Sequence, residues 1–357
     1  MSRRARRVPA GGALRRFVLL VVVVALLAVA WMWQRQRGFA DGPLDGIEAG
    51  SSLVVARGDS LDAVLRKLRD AGVDTGERLQ WQLLARELDA AGRLQVGEYA
   101  LDAGTTPRAL LLAMRDGKVV RRNFTIVEGW NIRDLRRALA KVPELRQEAA
   151  GLDDAALMRA LGQPGQHPEG RFLPETYAWV RGDSDLDVLR RAHAAMAKAL
   201  AAAWETRAKD LPLRSPDEAL TLASIVEKET GIAEERPAIA GVFVRRLHTG
   251  MRLQTDPTVI YGMGAAYTGN IRRSDLTTDT PYNTYTRAGL TPTPIAMPGK
   301  AALRAATRPA DGDALYFVAV GDGSGRHVFS ASLDAHNAAV RAYVQRYRAQ
   351  QREAAPK

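Results

Sequence analysis

Ser215-Pro-Asp-Glu-Ala-Leu-Thr-Leu-Ala-Ser-Ile-Val-Glu-Lys-Glu-Thr-Gly231 is the stretch from which the rest of the chain is best read. Ser215 can cap a helix, Pro216 suits a first turn, and Glu218 stands where a capping box needs an acid. The apolar residues then recur at helical spacing, and Gly231 is a good residue for the position just past the end. At ~100° per residue, Leu220, Leu222, Ile225 and Val226 point on average within ~30° of Glu229. Glu227 and Lys228 point elsewhere. Glu229 therefore shares the apolar stripe and also sits in the last turn, at the negative end of the helix dipole. Both circumstances disfavour a charged carboxylate and raise its pKa. A carboxyl kept protonated near neutral pH is what a general acid for glycosidic cleavage requires.

A lone Glu at a helix end commonly does no more than pair with an Arg. The neighbouring sequence argues for chemistry instead. Pro237–Leu247 reads as a second helix, followed by Met251-Arg-Leu-Gln-Thr-Asp-Pro-Thr-Val-Ile-Tyr-Gly262, Thr280-Pro-Tyr-Asn-Thr-Tyr285 and Gly289-Leu-Thr-Pro-Thr-Pro294. These stretches read as loops rich in Tyr, Asn, Gln and Thr and poor in charge. Neutral hydrogen-bonding groups with aromatic faces suit a neutral polyol such as a glycan, although several also suit ordinary structural turns.

Toward the amino end the decisive feature is charge. The 357 residues carry 51 Lys and Arg against 40 Asp and Glu, a formal +11. Residues 1–37 hold eight Arg and no acid, and the remainder carries 43 basic and 40 acidic residues. The body is nearly neutral, so the composition carries no nucleic-acid footprint. Phe17–Trp33 is an unbroken apolar run whose 17 residues would rise ~25 Å as a helix, at the short end of what crosses a ~30 Å hydrocarbon core. Trp31 and Trp33 suit the interface, and the Arg-rich amino side should stay cytoplasmic. Ala28-Val29-Ala30 is a possible signal-peptide cleavage pattern, but cutting there would leave an apolar, basic start. An uncleaved anchor is the better reading, and either way the body is exported. With no Cys, the domains are held by packing rather than disulfides.

The sequence divides into a basic cytoplasmic tail (1–16), a transmembrane helix (17–33), a linker (34–50), a small module (51–126), a large domain (127–350) and a flexible tail (351–357). The module contains a repeat of 46 residues: Gly58–Asp70 resembles Gly104–Asp116, each opening on Gly and a capping Ser60 or Thr106. Short β-type runs at Ser52–Ala56, Gly97–Leu101 and Arg122–Val127 flank these helices, with another helix over Leu79–Ala90. Ser52–Val73 looks like the LysM fold that binds acetamido glycans, and a generic α/β spacer fits it equally. Further helices are expected from Asn131, over Leu186–Glu205 and over Asp334–Arg352, and a hairpin over Leu315–Ser330 turns at Gly321–Gly325. Gly165–Val180 reads as irregular. The fold class is α+β: one transmembrane helix, a LysM-like α+β module, and a larger mixed α/β catalytic domain.

The motifs Ala223–Thr230 (ASIVEKET), Met251–Gly262, Pro281–Tyr285 (PYNTY), Glu169–Tyr177 (EGRFLPETY) and Leu315–Ser330 together resemble the YceG-like (MltG) family of endolytic murein transglycosylases. The resemblance spans nearly the whole chain. It implies cleavage of the β-1,4 bond between N-acetylmuramic acid and N-acetylglucosamine in nascent strands, without water, leaving 1,6-anhydro-muramic ends and terminating elongation. It implies a bacterial inner-membrane protein with its catalytic domain in the periplasm, peptidoglycan strands as substrate, and association with peptidoglycan synthases. The family's catalytic Glu matches Glu229, and Thr230 takes the position of a following Ser. Pro174–Tyr177 is implied to lie near the substrate groove, with Glu175 where Asp is commoner. The substrate-positioning candidates are Gln254, Asp256, Tyr261, Tyr282, Asn283 and Tyr285.

No metal or cofactor is expected. The five His have no metal-binding spacing and read as scattered polar positions, and no Ser-x-x-Lys or Gly-rich phosphate loop occurs. Two other functions compete: a hydrolytic muramidase using Asp256 as second carboxylate, and a non-catalytic glycan-binding scaffold for wall synthesis.

Overall fold

A computed structural model describes residues 11–48 and 50–354 and is mixed α+β. The four Arg at 3, 4, 6 and 7 and the last three residues of the expected tail lie outside the described residues. The chain forms two compact units, through Arg122 and from Asn123 onward.

In the first unit α1 runs over Gly11–Asp41, and Leu14–Asp41 is long and apolar enough to cross a membrane, with none of its most apolar window buried. The helix therefore continues through the first eight residues of the expected linker. The reason lies at its end: Phe39 and Ala40 are buried, and the Phe39 ring meets Trp81 edge-on at 5.3 Å. Only the Gly- and acid-rich part after Asp41 is loop. The module follows as β1 (Ser51–Val55), α2 (Leu61–Asp70), α3 (Arg78–Glu87), β2 (Gly97–Leu101) and α4 (Pro107–Asp116). β1 and β2 pair antiparallel, with Leu53 opposite Tyr99. The 46-residue repeat is thus a repeated strand and helix. Ser60 and Thr106 each accept the backbone N–H three residues on, from Ala63 and Ala109. The core collects Trp81, Tyr99, Leu110 and Met114.

In the second unit the end of β3 (Arg121–Thr125) pairs with β4 (Thr176–Val180), the Thr125 and Thr176 hydroxyls lying 2.9 Å apart. β4 corrects the irregular reading of Gly165–Val180. Its residues alternate, Tyr177 and Trp179 inward and Thr176 and Ala178 outward, a period-2 pattern hidden by the Pro-rich approach. The helices are α5 (Ile132–Leu139), α6 (Asp154–Ala160), α7 (Asp185–Glu205), α8 (Pro216–Glu229), α9 (Arg236–His248), α10 (Asp256–Met263), α11 (Arg273–Thr277) and α12 (Lys300–Thr307). A hairpin of β5 (Tyr316–Ala319) and β6 (His327–Ser330) and then α13 (Leu333–Ala354) complete it. α13 carries 351–354, so that part of the expected flexible tail is helical. α10 lies inside what read as loop, where Pro257 in the first turn starts a helix from a segment of short apolar and polar residues.

α8 is the centre of the larger core. Ala219 through Val226 are all buried, against α9 and α12. The helix is thus enclosed all round, not along one stripe. Ser215 accepts the Glu218 N–H at 3.2 Å, but the Glu218 carboxylate reaches back past the cap to the Arg214 N–H at 2.6 Å, so the capping box is only half formed. At the other end Thr230 is extended and takes the Ile232 N–H on its hydroxyl at 2.9 Å. The helix stops through Thr230, and Gly231 does not adopt the left-handed conformation expected of it.

Candidate active site

Glu229 ends α8 on the wall of a cavity of about 550 Å³. Its carboxylate accepts the Thr255 hydroxyl. Thr255 is itself buried and fixed: its N–H donates to the Thr284 hydroxyl at 3.1 Å, and its carbonyl accepts from Thr258 at 2.7 Å. Burial pushes the Glu229 carboxyl up from 4.5 to about 7; the Thr255 hydrogen bond opposes this, the nearby Asp256 carboxylate adds to it, and His327 and Arg246 pull back. Desolvation is the largest cause, so the carboxyl keeps its proton to a higher pH than usual at the edge of a water-accessible space.

Gln254, Asp256 and Tyr285 line the same cavity. Gln254 has φ 49°, a left-handed conformation that a residue with a Cβ adopts at a cost, and its N–H donates to the Thr284 carbonyl at 3.1 Å. The Tyr285 hydroxyl donates to Asp256 at 2.6 Å. Tyr261, Tyr282 and Asn283 do not line this cavity. Tyr261 donates to Glu169 at 2.9 Å and packs on Tyr282 with ring centroids 4.9 Å apart. Tyr282 meets the Thr293 hydroxyl at 2.9 Å. Asn283 is buried; its amide donates to the carbonyls of Asp275, Leu276 and Thr278, and its oxygen accepts the Tyr285 N–H at 2.8 Å. Its side chain thus ties the end of α11 to the turn that carries Tyr285.

Glu169 is a second displaced carboxyl. Fully buried, it is raised to about 7 although it accepts the Ile132 N–H at 3.1 Å and the Tyr261 hydroxyl. It joins the start of α5 to α10. Glu227, which the stripe placed away from the apolar face, is also buried, its side chain 4% exposed. It pairs with Arg236 at 3.1 Å and accepts the Gly299 N–H at 2.9 Å. Of two acids two residues apart, Glu227 is neutralised by a cation and Glu229 is not. Pro174–Tyr177 lies elsewhere: Glu175 pairs with Lys300 beside a larger cleft of about 740 Å³ floored by α7. A third cleft, of about 650 Å³, holds Asp217, which Arg171 keeps below the usual carboxylate range. Volume does not single out the site; the perturbed carboxyl does.

Residues not foreseen complete the cavity. Arg246, Tyr316, Phe317, His327, His336 and Asn337 form its far wall. Arg246 lies over the Tyr316 ring at 5.3 Å, and His336 stacks on the same ring at 5.2 Å. Two of the five His, read as scattered, thus meet at one site. They come from the hairpin and α13, about a hundred residues after Glu229, and no local spacing signals that approach.

The cavity thus brings together a carboxyl raised to about 7, a hydroxyl bonded to it, and aromatic and amide side chains. The chain belongs to the YceG-like family, which matches residues 53–342. It is 31% identical over 307 residues to a Bacillus subtilis protein named "Endolytic murein transglycosylase", covering 81% of this chain and 84% of that one. It is 33% identical over 190 residues to a Streptococcus pneumoniae protein of the same name, covering 52% of this chain and 32% of that one. The crystal structure of a putative yceG-like protein from Listeria monocytogenes superimposes with a TM-score of 0.51 at 27% identity, covering 82% of this chain and 99% of that one.

Proposed function

We propose that this protein is a membrane-anchored lytic murein transglycosylase in which Glu229 is the catalytic residue. The observation that carries the reading is a carboxyl raised to about 7 on the wall of a cavity that also presents hydroxyl, amide and aromatic side chains. Ordinary glycosidases use two carboxylates, one serving water or forming the nucleophile. A lytic cleavage needs one. Glu229 gives its proton to the leaving glycosidic oxygen as the bond from the anomeric carbon to that oxygen breaks. The ionised carboxylate then takes the proton of the muramic 6-hydroxyl, whose oxygen bonds to the same anomeric carbon. A 1,6-anhydro ring results, and Glu229 ends protonated as it began. Thr255 supports the ionised state between the two transfers.

The bond cut is the β-1,4 linkage between N-acetylmuramic acid and N-acetylglucosamine, within nascent strands, so that each cut ends elongation. The partners are those strands and the peptidoglycan synthases that extend them. Gln254, Asp256 and Tyr285 position the sugar, and Tyr261 and Tyr282 shape the ground behind them. The Arg-rich start stays in the cytoplasm, α1 crosses the inner membrane, and the second unit works in the periplasm. The strand-helix-helix-strand order of β1, α2, α3 and β2 supports a LysM-like role in holding acetamido glycans.

Purified glycan strands analysed by mass spectrometry test this. The expected products carry anhydro ends. Reducing ends formed with uptake of water would instead favour hydrolysis, a reading kept alive by Asp256 in the same cavity. Glu229→Gln is expected to abolish release from intact sacculi, and release by that variant at the wild-type rate would overturn the assignment of Glu229 as the catalytic residue.

A further inference from the structure

The proposed mechanism leaves one built feature of the cavity unused. His327, on β6, is held at two points by Glu235: its backbone N–H donates to one carboxylate oxygen at 3.0 Å and its Nδ1 meets the other at 2.8 Å. Both side chains are close to fully buried, 12% and 10% exposed. The Phe317 ring meets the imidazole edge-on at 5.4 Å, so the ring plane is fixed as well. Glu235 stands six residues after Glu229, in the turn between α8 and α9, so the acid and the clamp belong to one continuous segment. His327 lines the cavity with Glu229. Among the described residues no protein group bonds Nε2. A histidine whose Nδ1–H is given to a carboxylate has its tautomer and orientation set, and presents Nε2 as a fixed acceptor.

We propose that His327 is a positioning residue for the glycan, its Nε2 accepting a hydrogen bond from a hydroxyl of the sugar seated over Glu229, and that Glu235 sets its direction. The inference rests on the glycan-cleaving reading and adds a second wall to it: α8 and the segment after it supply the acid, while β6 brings the group that restrains the sugar.

Binding separates this inference from catalysis. In the Glu229→Gln background, the affinity for a tetrasaccharide of alternating N-acetylglucosamine and N-acetylmuramic acid is measured by calorimetry with and without His327→Ala. Loss of one such hydrogen bond is expected to weaken binding about tenfold. In the active enzyme His327→Gln, which keeps an acceptor, should retain more kcat/KM than His327→Ala. Glu235→Gln, which keeps one acceptor oxygen and replaces the other with an amide donor, should lower it less than His327→Ala does. Unchanged tetrasaccharide affinity on His327→Ala overturns the proposal. Should His327→Ala fail to fold, Glu235→Gln and His327→Gln decide: wild-type kcat and KM in both overturns it. Failure of the glycan-cleaving reading has a different signature, namely no anhydro products from glycan strands treated with the unsubstituted protein.

Discussion

The fold treats the two ionisation states of Glu229 unequally. Its folded value, about 7, lies above the ordinary 4.5. The native state therefore favours the proton: the associated stability is fully present below about 4.5 and is lost as pH rises through about 7. Two outcomes follow. Activity that needs the protonated acid should fall as pH climbs past about 7, measured as kcat/KM on glycan strands. Glu229→Gln should stabilise the fold at pH 8 by about 3 kcal/mol, read as a higher Tm, and the gain should vanish toward pH 4.5. Glu169 is raised in the same direction but is common to both proteins, so the difference isolates Glu229. Gln254 tests strain against use. Replacing it with Gly removes the side chain from a left-handed position and should leave stability equal or higher by up to about 1 kcal/mol, while activity falls if that side chain holds sugar. Melting and turnover measured together decide it.

At the scale of elements, the buried pair of Glu227 and Arg236 ties α8 to α9. Arg236→Ala would strand a carboxylate that still accepts only the Gly299 N–H, and should cost about 3–5 kcal/mol, read as a loss of denaturation midpoint. Glu227→Gln, which keeps the shape and removes the charge, should cost less. The same pair marks the limit of what could be read in sequence. Helical periodicity found α8, its Ser215 cap and the distinction between Glu229 and its neighbours, because these are local facts. It mistook Glu227 for an outward residue because burial on a second face depends on α9 and α12, which no spacing within α8 reveals. β4 escaped notice because its five residues follow a Pro-rich approach, and α10 because its short residues resemble a loop. Of the six positioning candidates, Gln254, Asp256 and Tyr285 reach the cavity. Asn283 does not, because composition cannot tell an amide that meets ligand from one that knits a turn. His327 and His336 were invisible for the opposite reason: their meaning lies in a fold-back of the chain from far along the sequence.

For the molecule as a whole, the charge of +11 divides between a basic start and a nearly neutral body, and the division predicts how the protein can be cut. α1 does two jobs. Its apolar stretch is wholly exposed, whereas its last turn belongs to the first unit, with Phe39 against Trp81 and Arg108 paired to Asp41 at 2.7 Å. A chain starting at Gln34 keeps these contacts and loses most of the exposed apolar surface. It should be monodisperse without detergent and should cleave isolated strands at the full-length rate. A chain starting at Gly42 loses Phe39 from a packed core, where removing an aromatic side chain costs about 3–5 kcal/mol. Its first unit should melt well below that of the longer chain, with the second unit's transition unchanged, as scanning calorimetry of the two chains would resolve. Equal melting of both first units would mean that the last turn of α1 is only a stalk and contributes nothing to the module it adjoins.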